Sequence, residues 1–318
     1  MNSENEKPIS TVNSEKTAMK KETEKETQNE TQTQKELKTA PENASQDRRE
    51  KPLRFGIEAY GVRIGIETEK FFTKSQIKAS LKNVLPNGYA EIEYETAVHY
   101  FSLKKIGKAY FIYKNNEIYF ETEKKLFIIN ALDSQIRITV AEFAVGKVFV
   151  HAGVVAWKNL GIMIPASSFH GKSTLVAELV KKGAEYYSDE YAVLDEDGFV
   201  HPFPKMLSMR GIIDDYTQKD IPVEDFGGVP GTKPVPVALV LITEYQQNAL
   251  WRPQTLSMGN GVMEILAHTI SIRRQPEFSL NVLNKIARRA IISKTRRGEA
   301  RQTADLLLGF FDQQAIKI

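Results

Sequence analysis

The sequence predicts an α/β fold in three parts. These are a disordered N-terminal tail over residues 1–52, a small α/β lobe over residues 53–145 and a larger α/β domain with a mixed sheet over residues 146–318. Three observations support this organisation: the tail is nearly without large apolar side chains, strand-like alternation begins at Leu53, and a buried-strand pattern at residues 160–164 leads into a loop and a helical pattern. Strands interspersed with helices in this way are typical of α/β folds.

Composition limits the classes of function. Of the 318 residues, 42% are hydrophobic, so a sizeable core can form. The net charge of +3 is too balanced to indicate a nucleic-acid or membrane surface. Cysteine is absent, which excludes disulfides, thiolate metal sites and a cysteine nucleophile. Without an apolar export signal or a run of about 18 apolar residues, the protein is expected to be cytoplasmic.

The tail consists mainly of Glu, Lys, Thr, Gln, Asn and Ser. After the initiator, its large aliphatic residues are Ile9, Val12, Met19 and Leu37. So little apolar surface cannot offset the entropy lost on ordering. Disorder is therefore expected over residues 1–52.

The small lobe reads as short strands and helices. Two alternating stretches that meet at Gly61 predict a β-hairpin or a bent strand pair, and apolar residues from Ile77 to Leu85 predict a short helix that ends at Pro86. Residues 126–140 fit either one helix or a helix followed by a strand. Further strands are predicted over residues 90–103, 110–113 and 118–121. The aromatic residues of this lobe are expected in its core.

The strongest motif follows an apolar strand that ends at Pro165. The loop reads Ala166-Ser167-Ser168-Phe169-His170-Gly171-Lys172-Ser173-Thr174, and a helix is predicted to begin at Lys172 or Ser173. In a phosphate-binding loop, glycine lets the backbone approach phosphate oxygens, lysine supplies a positive charge and serine can ligate Mg²⁺. The N–H groups at the helix start favour the same anion. Residues 166–174 are therefore expected to bind nucleotide phosphates, although Ala166 stands where the full motif has its first glycine.

An acidic pair, Asp189 and Glu190, follows the next predicted strand. Phosphoryl transfer needs a held Mg²⁺ and an acceptor hydroxyl aligned beside a group that can take its proton. One carboxylate can hold the metal while the other orients or deprotonates the acceptor. His151, in a strand predicted over residues 147–156, can lie beside that carboxylate and tune it, or carry a proton itself.

The remaining sequence predicts a hairpin around Asp197-Gly198. In the segment that follows, Arg210 can reach a phosphate or the acceptor, or lie on the surface. Glycines and prolines over residues 214–236 predict an irregular, mobile loop over the acceptor. The last expected elements are a buried strand over residues 237–243, part of a helix over residues 261–270 and an amphipathic helix over residues 300–311.

Residues 147–212 resemble the catalytic domain of HPr kinase/phosphorylase. The Gly-Lys-Ser-Thr-Leu run that begins at Gly171 is also similar to the related ATP-dependent phosphoenolpyruvate carboxykinases. In the HPr kinase pattern a histidine lies one strand pair upstream of the loop lysine, as His151 does here, and an Ala-Asp-Asp strand end corresponds to residues 188–190. The resemblance implies a carboxykinase-like P-loop domain that uses ATP and Mg²⁺. It further implies catalytic roles for Asp189 as base, His151 and Lys172, and Mg²⁺ ligation by Ser173 and Glu190.

The chain also departs from that family. Phe169 stands where HPr kinases have a further glycine, and Glu190 replaces an aspartate. An arginine-rich phosphorolysis loop of the Arg-Pro-Gly-Arg-Asn type is not found after Gly211, and residues 53–145 do not resemble the family's N-terminal domain. The substrate side is therefore not carried over from the family.

Two classes of function stay open at this point. The favoured one is an ATP-dependent kinase for a hydroxyl on a protein, a peptide or a small molecule. The alternative is a regulatory module that binds nucleotide without transferring phosphate. Carboxykinase activity is less favoured because no oxaloacetate-binding arginine pattern is found. The expected partners are a nucleotide and a hydroxyl acceptor, without nucleic acid or membrane, and a homo-oligomer is compatible with the sequence.

Overall fold

A computed structural model describes residues 51–166, 171–209 and 219–315. The residues from Lys51 onward form one compact unit. Nearly all of the predicted tail lies outside the described residues. Four residues of the predicted phosphate loop, Ser167, Ser168, Phe169 and His170, also lie outside the described residues. The same holds for Arg210 and for residues 214–218, the first part of the loop expected from residue 214.

The first sheet has six strands in the order β3-β1-β2-β4-β5-β6. They are β1 (Leu53–Ala59), β2 (Val62–Thr68), β3 (Ala90–Ile92), β4 (His99–Ile106), β5 (Ala109–Lys114) and β6 (Glu117–Thr122). β1 and β2 form the predicted hairpin, and Tyr60 and Gly61 both have positive φ in its two-residue turn, as a type I′ turn requires.

Two helices pack on this sheet, α1 (Lys74–Val84) and α2 (Lys125–Phe143). Thr73 caps α1 in a capping box with Gln76, which explains where the helix begins. Residues 125–143 form one continuous helix, so the first of the two alternatives for this stretch is confirmed.

One strand prediction in this part is wrong. Residues 90–103 do not form one strand, because a 3-10 helix over Tyr94–Thr96 separates β3 from β4. The topology gives the reason: β3 pairs with β1 antiparallel, whereas β4 pairs with β2 parallel on the far side of the hairpin. The chain must cross the hairpin between the two pairings, and an uninterrupted strand cannot do so.

A second, eight-stranded sheet carries the predicted phosphate loop. Its order is β11-β10-β7-β8-β14-β16-β15, and β9 pairs with β7. The strands of this part of the chain are β7 (Val148–Trp157), β8 (Leu160–Pro165), β9 (Glu185–Ser188), β10 (Tyr191–Leu194), β11 (Phe199–His201), β12 (Leu207–Met209), β13 (Lys219–Ile221), β14 (Val235–Tyr245), β15 (Gln254–Thr255) and β16 (Ile291–Arg297). β12 and β13 form a separate two-stranded sheet.

The eight-stranded sheet is mixed, as predicted. β8, β14 and β16 run parallel, whereas β7 is antiparallel to β8 and β10 is antiparallel to β7. One face packs against α3 (Lys172–Lys181) and α6 (Ala300–Ala315), and the other packs against α4 (Met258–Leu266) and α5 (Pro276–Arg289). The carboxyl ends of the three parallel strands therefore meet at one edge, where α3 begins.

Several predictions for this region need correction. The helix expected over residues 261–270 is α4, which ends at Leu266 and is followed by a 3-10 helix over Ile270–Arg273. The irregular loop expected over residues 214–236 contains β13 and a 3-10 helix over Val223–Phe226. Its proline and glycine content does not exclude such short elements, because each needs only three or four residues.

The two sheets share part of one core. Phe149, Tyr191 and Phe203 from the second sheet and its connections belong to the same cluster as the apolar residues of the first sheet. The domain boundary expected at residue 145 stays a prediction. Across the described ranges, no helix is long and apolar enough to span a membrane.

Candidate functional site

The candidate site lies where β8 leads into α3. Ala166 is buried after the end of β8, and its N–H donates to the carbonyl of His151 (3.4 Å). Gly171 has φ +69°, a left-handed conformation that favours glycine, and α3 begins at Lys172. The start of the helix therefore lies where the sequence predicts it. Thr174, in the first turn, is exposed.

Lys172 is buried at the start of α3, with only 8% of its surface exposed. Its side chain runs over Gly153 of β7, since a Cβ built on that glycine would lie 3.0 Å from Lys172 Cγ. Burial lowers the pKa of Lys172 to about 8, although the attraction of Glu190 and Asp189 opposes this shift. The charge of the lysine thus interacts with the acidic pair that follows β9.

Asp189 is almost fully buried, with 3% of its surface exposed. Its Oδ2 accepts hydrogen bonds from the Ser173 hydroxyl (2.9 Å) and from the backbone N–H of Ser208 (2.9 Å). The Tyr186 hydroxyl lies 3.2 Å from Oδ1 but only 2.6 Å from the carbonyl of Lys205, so its single proton serves one of these two acceptors. The structure therefore brings together Ser173 and Asp189, two of the residues selected from the sequence.

Glu190 is held at its backbone between the strands. Its carbonyl accepts from the N–H of Ala152 (3.1 Å), and its own N–H donates to the Ser188 hydroxyl (3.0 Å). The half-buried carboxylate lies 3.3 Å from Nε of Arg137, measured to Oε1. Among the charged neighbours that raise the pKa of Lys172, Glu190 has the largest effect. Its carboxylate thus interacts with two cations.

His151 lies in β7 beside Tyr191, and the centroids of their rings are 6.2 Å apart. Its backbone N–H donates to the carbonyl of His268 (2.8 Å). Burial lowers the pKa of His151 to about 3, and the positive charge of Lys172 adds to this effect. The imidazole is therefore neutral at pH 7, although it lies close to Lys172 and Asp189.

Three residues of the site were not identified from the sequence. Lys205 is buried, and its Nζ donates to the Ser208 hydroxyl (2.6 Å). Arg297, at the end of β16, is buried and donates from Nη2 to the carbonyl of Gly171 (2.9 Å). Arg137 comes from α2. The sequence offers no local signal for these three residues, because their contacts are set by how the chain folds around them.

A pocket of about 770 Å³ opens beside the start of the loop. The ends of β8, β14 and β16 line the pocket, together with the connection that precedes α4 and the connection that follows it. The lining includes three cationic side chains and one carboxylate. The lining residues are Pro165, Ala166, Ile242, Thr243, Glu244, Leu250, Arg252, Gln254, His268, Lys294, Thr295 and Arg296. This volume is within the range of small-molecule and cofactor sites.

The donor atoms of the site suit Mg²⁺ bound together with phosphate. Within the described ranges, no group of three His, Asp or Glu side chains could hold a metal ion alone. However, Ser173 and the two carboxylates supply hydroxyl and carboxylate oxygens. Mg²⁺ prefers oxygen ligands, keeps several waters and commonly takes only one or two carboxylates plus substrate phosphates. These residues therefore fit an ion that arrives with a nucleotide.

Comparisons with known proteins do not assign the chain to a family. No family model matches it, and no curated protein matches it. Among solved structures, the Hpr(Ser) kinase/phosphatase from Coxiella burnetii aligns with 53% of this chain and 97% of that chain, at 16% identity and a TM-score of 0.29. This sequence identity indicates at most a distant relationship, and a TM-score of this size does not establish a shared fold.

Proposed function

We propose that this protein is an ATP- and Mg²⁺-dependent kinase that transfers a phosphoryl group to a hydroxyl acceptor. The observation that carries the proposal is the group of side chains at the start of α3. There the buried Lys172 interacts electrostatically with Asp189 and Glu190, and the Ser173 hydroxyl is hydrogen-bonded to Asp189. A lysine, a metal-ligating hydroxyl and two carboxylates at a helix N-terminus are the groups that phosphoryl transfer uses.

In this proposal the phosphates of ATP bind at the N-terminus of α3. The free N–H groups of the first turn and the Lys172 ammonium neutralise their charge. The nucleoside lies in the 770 Å³ pocket, because that pocket begins at Pro165 and Ala166, where the loop begins. Ser173 and Glu190 would hold the Mg²⁺, and the ion would supply positive charge that stabilises the transferred group.

Asp189 takes the proton of the acceptor hydroxyl. Its burial between Ser173 and Ser208 fixes the orientation of the carboxylate, which favours a positioned base. His151 is neutral and lies beside this pair, so we assign it a role in shaping the site rather than in carrying a proton. The acceptor is a hydroxyl on a protein, a peptide or a small molecule.

A regulatory module that binds nucleotide without transfer is the second candidate. Asp189 Oδ2 already accepts two hydrogen bonds, and little of this side chain is exposed. A carboxylate so occupied can instead support Ser173 at the metal, as an acidic residue does in P-loop NTPases. The two candidates differ in what loss of the Asp189 charge does to turnover.

The test compares Asp189→Asn and Lys172→Ala with the unchanged protein. ATP binding is measured by calorimetry, and turnover is measured as slow ATP hydrolysis or self-phosphorylation at several Mg²⁺ concentrations. We expect Asp189→Asn to lower turnover by about 10²-fold or more, the range that general-base catalysis supplies, while ATP still binds. Lys172→Ala should weaken ATP binding itself, because it removes the buried charge that faces the phosphates.

Asp225→Asn is the matched control, since Asp225 is exposed in a 3-10 helix and should leave both quantities unchanged. Melting temperatures establish that each variant is folded. Equal turnover in the unchanged protein and in Asp189→Asn would overturn the kinase proposal in favour of the regulatory module. Absence of ATP binding in the unchanged protein would overturn both candidates.

A further inference from the structure

An arginine from outside the predicted catalytic domain reaches the candidate site. Arg137 lies on α2, and its neighbours Ile136 and Val140 are buried in the core that α2 shares with the first sheet. Its Nε lies 3.3 Å from Oε1 of Glu190, and the two side chains are only 16% and 20% exposed. A cation anchored by the core of the first sheet is thus paired with the carboxylate proposed to hold Mg²⁺.

Arg137 and Glu190 form an ion pair without a well-formed hydrogen bond. Nε of Arg137 is buried, and its N–H has no acceptor in suitable geometry among the described residues. Burial alone would lower the pKa of Arg137, but Glu190 and Tyr191 outweigh it and raise the pKa above its ordinary value. The guanidinium therefore remains charged beside Glu190 at all relevant pH values.

Glu190 consequently interacts with two cations: its carboxylate lies 3.3 Å from Nε of Arg137, and its negative charge raises the pKa of Lys172. Such a carboxylate can neutralise the lysine that must bind phosphate. Opposite charges that are partly buried attract strongly, because little water screens them. If Arg137 were absent, the full attraction would draw Glu190 toward Lys172, and the carboxylate would compete with an incoming phosphate.

We propose that Arg137 is a positioning residue that holds Glu190 away from Lys172 and toward the place of the nucleotide-bound Mg²⁺. This inference rests on the proposed nucleotide site and adds a role for the first sheet and its helix α2, which belong to the small lobe. The core contacts of α2 anchor the backbone of Arg137, Tyr191 interacts with its guanidinium, the guanidinium holds the carboxylate, and Lys172 is left available for phosphate. The first lobe thereby contributes to nucleotide affinity without contacting the nucleotide.

The test is a double-mutant cycle on ATP affinity, measured calorimetrically in the absence of Mg²⁺ with a chelator and again with Mg²⁺. Arg137→Met should weaken Mg²⁺-free binding about tenfold, within the range of interaction energies for residues in contact. Glu190→Gln removes the competing charge, so Mg²⁺-free binding should be at least as tight as in the unchanged protein. When Glu190→Gln is already present, Arg137→Met should have almost no further effect.

Two more variants separate positioning from a merely structural role. Arg137→Lys keeps the charge without the planar guanidinium and should restore part of the affinity. Lys125→Met removes an exposed cation from the same helix and should change neither Mg²⁺-free affinity nor the Mg²⁺ concentration needed for half-maximal turnover. In Arg137→Met, that Mg²⁺ concentration should rise several-fold, because Glu190 is no longer held at the metal position.

Equal effects of Arg137→Met with and without the Glu190→Gln substitution would overturn the inference, since a structural arginine does not depend on the charge of its neighbour. Unchanged affinity in Arg137→Met would overturn it as well. In either case the unchanged protein would still bind ATP, so the proposed function would stand. If Arg137→Met does not fold, Arg137→Lys and the double variant Arg137→Met/Glu190→Gln are compared instead, because the double variant leaves no unpaired carboxylate at this contact. Mg²⁺-free ATP affinity close to that of the unchanged protein in the double variant supports the inference, and a tenfold loss there overturns it.

Discussion

The charge on Lys172 depends on its surroundings more than that of an exposed lysine does. Burial lowers its pKa to about 8, although Glu190 and Asp189 favour the ammonium. In the ligand-free protein a substantial part of the molecules therefore carries a neutral amine at pH 8. Bound phosphate adds negative charge beside this amine, and so ligand binding and protonation of Lys172 favour each other.

ATP affinity should accordingly fall as the pH rises through about 8, and binding near that pH should take up a proton. Calorimetric titrations in two buffers with different heats of ionisation measure this uptake. Lys172→Arg is the control, because arginine stays protonated over this range and should flatten the pH dependence. The same slope in both proteins would show that another group titrates.

The same pKa shift affects stability. Since the pKa of Lys172 is lower in the folded protein than in the unfolded chain, the unfolded state binds more protons between about pH 8 and the ordinary lysine value. The contribution of Lys172 to the free energy of unfolding therefore rises with pH in this window. Below it, the folded state bears the full cost of burying the ammonium.

At the scale of elements, the contact between α3 and β7 sets the position of the phosphate loop. Gly153 of β7 lies directly beneath α3, and a Cβ there would be 2.6 Å from Cγ2 of Val176 and 3.0 Å from Cγ of Lys172. Val176 is β-branched and buried in a helix, so it cannot rotate away easily. The absence of a side chain at residue 153 is what lets the helix approach the strand this closely.

Gly153→Ala should therefore push α3 away from β7 and lower both the melting temperature and ATP affinity. Overpacking of this kind costs about 1–3 kcal/mol. Gly259→Ala is the matched control: Gly259 lies in α4, where an added Cβ meets nothing within 4 Å, and alanine there should be neutral or stabilising by up to about 1 kcal/mol. If Gly153→Ala behaved like Gly259→Ala, the contact would not set the position of the helix.

Local sequence patterns predict the elements that carry the loop, because their signals lie within a few residues of one another. The hairpin at Gly61, the start of α3 at Lys172 and the strand over residues 237–243 are confirmed for this reason. The acidic pair could also be selected, since it follows the next strand. α5 and β16 were not predicted: their sequence is rich in polar residues, and only tertiary packing distinguishes their buried positions.

The parts of the site that were missed depend on long-range contacts. Arg137 approaches Glu190 only because α2 packs beside the second sheet, and Arg297 approaches Gly171 only because β16 joins that sheet parallel to β14. In both contacts the two residues lie far apart in the sequence, so no local pattern could indicate that they meet. The crossing between β3 and β4 was missed for the same reason, since the pairing partner of each strand is set by topology.

At the scale of the whole molecule, the candidate site draws on both sheets. Loop, lysine and carboxylates come from the second sheet and α3, whereas the guanidinium that faces Glu190 comes from the helix over the first sheet. Phe149, Tyr191 and Phe203 lie in the apolar cluster that joins these parts. A change in how the first sheet packs would therefore change the position of Arg137 relative to the Glu190 carboxylate.

The unit that begins at Lys51 should fold and bind ATP without residues 1–50. Its described residues form three clusters of buried apolar side chains, whereas residues 1–50 offer only Met1 and four scattered large aliphatic side chains to bury. Removal of residues 1–50 thus loses little hydrophobic stabilisation, which is roughly proportional to the apolar area buried. We expect the shortened chain to keep its melting temperature within a few degrees and its ATP affinity within about twofold, measured by calorimetry under the same conditions.

A shortened chain that starts at residue 63 is the contrasting control. It lacks β1, which contributes Phe55 and Ile57 to the first core cluster, and therefore should not fold. A large fall in melting temperature after removal of residues 1–50 alone would show that the tail contributes to the folded structure.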